Sequence, residues 1–189
     1  MVSSIDESKD PWKRFSKAEV YENAWLRLDI HDCLDPSGNK ASYSVVHFQN
    51  RAVGVIPLHD DGTITLVGQY RFAIERYSWE LPEGGCPKGE TMMETAHREL
   101  LEETGLSAET LTHFMDLHTS NSITDEWGQV FLAKGLTQGE AEPEACEELQ
   151  TKRLSLDAII DAIETGKITD AITIAAIYKL AFLIASEKV

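Results

Sequence analysis

The chain has 189 residues, 42% of them hydrophobic, and a formal charge of −15. That is one ordinary domain with room for a small appendage and enough apolar residues for a core, and its acidity excludes binding to DNA or RNA by backbone neutralisation, which needs a basic surface. Cys33, Cys86 and Cys146 show no paired or CxxC spacing, so neither a disulfide framework nor a zinc site is indicated, and the reduced cytoplasm is the expected compartment.

The first ten residues, MVSSIDESKD, lack a basic segment followed by an apolar core and do not read as a signal peptide. Ser16–Cys33 and Ala41–Phe48 are strand-like runs on either side of Asp35-Pro36-Ser37-Gly38-Asn39, whose residues suit a hairpin turn. Ala52–Leu58 and Thr63–Tyr70 flank Asp60-Asp61-Gly62, a second hairpin signal. A helix is expected after Thr91, because Thr91 and Glu94 fit a capping box, and it should end at Gly105, suited to a left-handed C′ position.

Strands are expected at Thr110–Thr119 and Gln129–Ala133, then an acidic loop, Gly139–Glu148, and a short strand near Gln150–Leu156. Helices follow at Asp157–Thr165, stopped by Gly166, and at Asp170–Ser186. The apolar run Ala171–Ala185 is interrupted by Tyr178 and Lys179 and falls short of the roughly 20 residues of a membrane span. No membrane partner is expected. The order describes an α+β domain with helices covering a mixed sheet, preceded by an antiparallel β unit. Residues 1–48 are expected to form that N-terminal unit and 49–189 the main domain.

From Gly84 to Leu106 the chain gathers Glu90, Glu94, Glu99, Glu102 and Glu103 around Arg98. At about 100° per residue, Glu103 lies roughly 40° to one side of Glu99 and Glu102 roughly 60° to the other, so three carboxylates share a face. Met93, His97, Leu100 and Leu101 fall on another side, expected to bury against the sheet. Arg98 can pair with Glu102 four positions on. Carboxylates this close repel, and divalent cations would relieve the repulsion, so metal-free protein should be the less stable form.

Gly84, then five residues, Glu90, then seven residues and Arg98-Glu99-Leu100-Leu101-Glu102-Glu103-Thr104-Gly105-Leu106 resembles the Nudix box at every defining position. The resemblance implies a Nudix α/β/α sandwich in which Mg²⁺ or Mn²⁺ promotes attack of water on a diphosphate. It implies that Glu99 and Glu103 are the principal metal ligands, Glu102 a further ligand or shared carboxylate, and Arg98 the residue that orients them. Glu90 would act by hydrogen bonding or water-mediated metal contact, and the carbonyl of Glu83 as a backbone ligand. Gly84 and Gly105 would serve backbone geometry through glycine's access to positive φ.

The flanks, Gln69-Tyr70-Arg71-Phe72 and Trp79-Glu80-Leu81-Pro82-Glu83-Gly84-Gly85, are similar to those of ADP-ribose and nucleoside-diphosphate-sugar pyrophosphatases. Arg71 is then the expected diphosphate clamp, a role that suits a fixed guanidinium. Trp25 would stack on a nucleobase or support a subunit interface, and Arg51 would contact sugar or phosphate. Glu126, with Asp125 as its fallback, matches the catalytic glutamate of a loop in relatives, where a carboxylate must reach the attacking water. Those relatives carry a proline downstream of the box where this chain has Asn121 or Ser122. That difference points past strict ADP-ribose specificity to ADP-ribose, ADP-glucose or GDP-mannose type substrates, cleaved to nucleoside monophosphate and sugar phosphate. The resemblance also implies a homodimer through the N-terminal strands. The competing readings are a non-catalytic nucleotide-sugar sensor of the same fold and a house-cleaning hydrolase of nucleotides or dinucleoside polyphosphates.

Overall fold

The computed structural model describes residues 9–141 and 148–188. Most of the expected acidic loop, and Cys146 within it, lie outside the described residues. The chain divides into two compact units, one formed by residues up to Gln49 together with Ser120–Asp125, the other by Asn50–Thr119 and Glu126 onward.

The first unit is a three-stranded antiparallel sheet of β1 (Lys13–Glu22), β2 (Leu26–Leu34) and β3 (Lys40–Phe48), in that order. Asp35 accepts main-chain hydrogen bonds from Ser37 and Asn39, and Gly38 takes a φ of 87°, so the β2–β3 turn forms where its residues predict. Ser16–Cys33 is not one run. Asn23 Oδ1 accepts from the amides of Trp25 and Leu26 at 2.9 Å each, and this side-chain turn folds β1 back on β2. Trp25 therefore sits on the turn rather than in a strand, with 72% of its surface exposed.

The second unit holds a mixed four-stranded sheet, in the order β7 (Glu83–Cys86), β4 (Arg51–Pro57), β9 (Trp127–Gln138), β8 (Leu106–His118). β4 runs parallel to β9, and the other pairs are antiparallel. A second sheet orders β10 (Gln150–Ser155), β5 (Thr63–Arg71) and β6 (Arg76–Glu80). The short strands β6 and β7 carry no alternating apolar pattern and were not expected.

The central strands show why the helices lie as they do. Along β4, Val53 and Val55 join a core with Ala96 and Leu100 of α1 (Met92–Thr104), while Ile56 joins a core with Ile172, Ala176, Ile177 and Leu180 of α3 (Ala171–Ala185). β9 repeats this with Phe131 and Ala133 on the α1 side and Val130 and Leu132 on the other, where Ile159 of α2 (Leu156–Glu164) also packs. Alternate residues of a strand face opposite ways, so a strand covered on both faces is apolar throughout. The result is an α/β/α sandwich. α3 approaches so closely that a Cβ on Gly54 would meet Ile172 Cγ2 at 3.0 Å. Among the described residues no helix is long and apolar enough to cross a membrane.

Candidate active site

α1 begins and ends as its sequence predicts. Thr91 Oγ1 accepts from the Glu94 amide, the Glu94 side chain accepts from the Thr91 amide, and Gly105 closes the helix at φ 71°. The buried face differs from the expected one. Met93, His97 and Leu101 are exposed, whereas Thr95, Ala96, Glu99, Leu100, Glu103 and Thr104 are buried. The glutamates occupy part of the face turned toward the strands because β7, a glycine-rich strand, leaves room for them.

Gly84 is the clearest instance of that room. A Cβ there would lie no farther than 2.5 Å from Oε1, Cδ or Oε2 of Glu99. Gly84 has no positive φ, so its role is to vacate space for the Glu99 carboxylate, not to supply the backbone freedom expected of it. Gly105 does need that freedom.

Arg98 organises the cluster. Its Nη1 donates to Glu99 Oε1 at 2.8 Å and to Glu102 Oε2 at 2.9 Å, Nη2 to Glu90 Oε2 at 3.1 Å and to the Gly85 carbonyl at 3.3 Å, and Nε to Glu90 Oε1 at 3.2 Å. The hydrogen bonds from Arg98 hold Glu90 below its usual carboxylate range, and Thr95 Oγ1 adds another. The same contacts, Glu90 foremost, raise Arg98 above its ordinary value against the opposing effect of burial. The predicted pair with Glu102 is thus one of three.

Glu103, 5% exposed, accepts the Glu83 amide at 2.9 Å. Arg71 lies on the other side of Glu83, bonded to both oxygens of Glu80 through Nε and Nη2 and to Glu83 Oε1 at 3.1 Å. Burial works to lower Arg71, but the Glu80 hydrogen bonds and the charges of Glu80, Glu83 and Glu103 outweigh it and raise its pKa. Burial pushes the Glu83 carboxyl well above its usual range, and the nearby Asp170 and Glu80 push the same way. Its Oε2 is buried and has no hydrogen-bond partner among the described residues.

Asn50, Glu83, Gly84, Gly85, Pro87, Arg98, Glu99 and Glu102 line one cavity of about 450 Å³. Glu80, Glu83 and Asp170 also converge closely enough for their oxygens to share an ion. Sequence reasoning did not single out Glu80 or Asp170. Glu80 stands in the recognised flank, but Asp170, the N-cap of α3, reaches this group only through the tertiary fold and has no local signal.

The other expected residues have contacts of their own. Arg51 opens β4 and stacks over Trp127, 5.2 Å from the ring centre. Glu126 directly precedes β9 and accepts a hydrogen bond from Thr119 Oγ1. Trp25 belongs to the N-terminal unit. Asp125, the fallback for Glu126, is bonded to His47.

Among the described residues the metal-donor atoms around the cavity are oxygens, with a buried carboxylate oxygen left unsatisfied at Glu83 and a glycine cradle beneath Glu99. Such sites suit hard divalent cations rather than softer metals that seek nitrogen or sulfur. Residues 48–176 match the family model described as NUDIX domain. The chain belongs to the Nudix family. It is 33% identical to an ADP-ribose pyrophosphatase of Bacillus subtilis, over 89% of this chain and 91% of that protein. It is 37% identical to an ADP-ribose pyrophosphatase of Mycobacterium tuberculosis (88% and 81%) and 31% identical to a methanol dehydrogenase activator of Bacillus methanolicus (89% and 91%). A crystal structure of an ADP compounds hydrolase superposes with a TM-score of 0.84 at 22% identity, covering 97% of this chain and all of that one. That likeness bears on the fold alone, and the fold is that of a Nudix hydrolase.

Proposed function

We propose that this Nudix hydrolase cleaves the diphosphate of nucleoside-diphosphate sugars of the ADP-ribose, ADP-glucose or GDP-mannose type, releasing nucleoside monophosphate and sugar phosphate. The observation that carries the reading is the set of carboxylates drawn around one cavity by Arg98. The ADP-ribose pyrophosphatases among the relatives support the substrate class.

Glu99, Glu102, Glu103 and the carbonyl of Glu83 are the groups that would hold Mg²⁺ or Mn²⁺. A divalent cation bound there supplies neutralisation of the diphosphate charge and activation of water. Arg98 keeps the glutamates in place, and Arg71 binds the diphosphate. Among the described residues the Arg71 hydrogen bonds use Nε and Nη2, which leaves Nη1 for a phosphate oxygen. Glu126 takes the proton of the attacking water, Arg51 contacts sugar or phosphate, and Trp25 stacks on the base or supports a subunit interface. Residues 1–48 serve as a β unit that joins two copies into a homodimer, and 49–189 as the hydrolase domain. The free thiols of Cys33 and Cys86 suit a cytoplasmic enzyme.

The test is a panel of nucleotide sugars incubated with Mg²⁺ or Mn²⁺, with products resolved and ¹⁸O water used to locate the attacked phosphorus. Hydrolysis to a nucleoside monophosphate and a sugar phosphate, lost in Glu99→Gln and Glu103→Gln, is expected. No turnover across the panel would refute the reading and favour a sensor of the same fold.

A further inference from the structure

The three-stranded N-terminal unit carries a cluster that the proposed chemistry does not use. Among its described residues only Asp29 and Cys33 are buried, and neither apolar core of the molecule includes a residue of it. Units this small commonly rely on a staple such as a metal ion. Asp29 and His31 lie two apart on β2, so their side chains share one face of the sheet. Asp29 pairs with Val45 and Arg27 with His47, which sets His47 diagonally across from Asp29 on β3. The ligand atoms of Asp29, His31 and His47 all lie within 4.8 Å of one another.

His47 is held as a metal ligand is held. Its Nδ1 stands 2.6 Å from Asp125 Oδ2, and because an ionised carboxylate only accepts, Nδ1 is the donor there. Neutral imidazole then carries its lone pair on Nε2. That atom is buried, makes no hydrogen bond among the described residues, and faces Asp29 Oδ2 at 3.3 Å. Two acceptors this close repel unless a positive charge lies between them. Zinc bonds of about 2.0–2.1 Å in a tetrahedron set neighbouring ligands about 3.3 Å apart, the spacing found here. A ligating histidine usually donates its other ring nitrogen to a carboxylate, and Asp125 packs within the same compact unit as His47.

Lys17 and Arg27 already touch Asp29, Lys17 Nζ at 2.9 Å from Oδ2 and Arg27 Nε at 3.1 Å from Oδ1. An ion between Asp29 and His47 uses Oδ2 and leaves Oδ1 to Arg27. The Lys17 side chain is 57% exposed, and its flexible stem lets the ammonium withdraw into water. His31 also borders a cavity of about 240 Å³ that Trp12, Cys33 and Tyr43 help to wall, which leaves room for a water as fourth ligand.

We propose that Asp29, His31 and His47 form a binding site for a zinc-class divalent cation, with Asp125 as its outer-shell carboxylate. Two imidazoles and one carboxylate favour zinc and other nitrogen-seeking metals, whereas the oxygen donors around Glu99 favour magnesium or manganese. The ion ties β2 to β3 and stiffens the N-terminal sheet. None of its ligands comes from the cysteines, so their spacing gives no signal of it. The site is independent of the diphosphate chemistry, and its test stands whether or not nucleotide sugars are cleaved.

The test uses the full chain, freed of metal by chelation, saturated with Mg²⁺ to occupy the carboxylate cluster, and then titrated with Zn²⁺ by calorimetry and NMR. Binding of a single further ion is expected, with shifts of the His31 and His47 imidazole signals. Asp125→Ala, which touches no ion, is expected to weaken Zn²⁺ about tenfold, and His31→Ala and His47→Ala more than the roughly 10–100-fold of outer-shell losses. Lys17→Met removes the competing charge and is expected to tighten binding. Glu99→Gln is expected to leave Zn²⁺ affinity unchanged. Unmoved His31 and His47 signals in the wild-type chain would overturn the proposal without recourse to any variant, and would leave His47 as an imidazolium between two carboxylates. Zn²⁺ affinity lost in Glu99→Gln and kept in His47→Ala would overturn it too, by assigning the ion to the carboxylate cluster.

Discussion

Replacing Gly84 by alanine puts one methyl group into the carboxylate of Glu99. The new Cβ would stand at most 2.5 Å from each of the three terminal atoms of that side chain. Ordinary van der Waals contact begins near 3.4 Å, so the carboxylate must move by about 1 Å, within the range at which misplacement costs about 10²-fold in rate. The move also breaks the 2.8 Å bond to Arg98 Nη1. Because the obstruction is the end of a flexible side chain and not backbone, the fold gives way cheaply. The expected result is a fall in kcat of about 10²-fold, or about 2.7 kcal/mol in the barrier, with weakened Mn²⁺ binding by calorimetry and a melting temperature within a few degrees of wild type. Gly85→Ala is the control. Its Cβ would meet Asn50 Nδ2 at 2.9 Å, a contact outside the carboxylate cluster, so kcat should fall much less. Near-normal turnover and Mn²⁺ affinity in Gly84→Ala, or equal losses in both variants, would refute the argument that the glycine exists to make room for Glu99.

Other perturbations probe the remaining parts. Arg71→Lys removes the planar fork that engages Glu80 and Glu83 and should lower kcat/KM at least about tenfold, because a lysine cannot reproduce two parallel hydrogen bonds; steady-state kinetics would show it. Chelation should lower the melting temperature, and Mg²⁺ at 100 times its Kd should restore about 2.7 kcal/mol, or about 5–10 °C by calorimetry for a chain of this size, an effect absent in Glu99→Gln. Asp29 has its folded pKa depressed below the unfolded value of 3.8, so its stabilising contribution is present above that value and is lost as pH falls through the folded pKa. Asp29→Asn should therefore flatten the acid limb of a stability–pH profile measured by denaturant unfolding.

Much of this molecule is legible locally. The α1 boundaries follow from a capping box and a left-handed glycine, and the β2–β3 turn follows from Asp35 and Gly38. These features depend on residues within a few positions of one another, and the fixed spacing of the box depends on nothing else. What a single sequence conceals is long-range. Helical periodicity assigns Met93, His97 and Leu101 to the buried face, but β7, whose Gly84 makes room for the Glu99 carboxylate and whose Glu83 amide meets Glu103, decides that these glutamates are buried instead. Asn23 folds β1 back on β2 with two side-chain bonds inside a run that otherwise reads as one strand. Asp170 joins Glu80 and Glu83 from the start of the last helix, and Asp125 joins His47 from 78 residues away. Neither pairing has a periodicity to announce it.

The cost of the arrangement explains its form. Glu80, Glu99 and Glu103 are more than nine-tenths buried, and Glu83 is nearly so, yet Arg98 and Arg71 come in among them as cations. A fold selected for stability alone would replace such carboxylates with apolar residues of similar size, which is often neutral or stabilising. Here each arginine instead spans several acids, Arg98 linking Glu90, Glu99 and Glu102 and Arg71 linking Glu80 and Glu83. The guanidinium suits this because it offers five donors in one plane. Two arginines thus order the cluster without neutralising it, and the residual negative charge is what a divalent cation and its diphosphate would meet. Replacing Arg98 by lysine should therefore disorder the glutamates while keeping the net charge, so Mn²⁺ affinity should fall although the electrostatic sum is the same. Equal Mn²⁺ affinity in the Arg98→Lys variant would show that charge alone, and not the geometry of the fork, prepares the site.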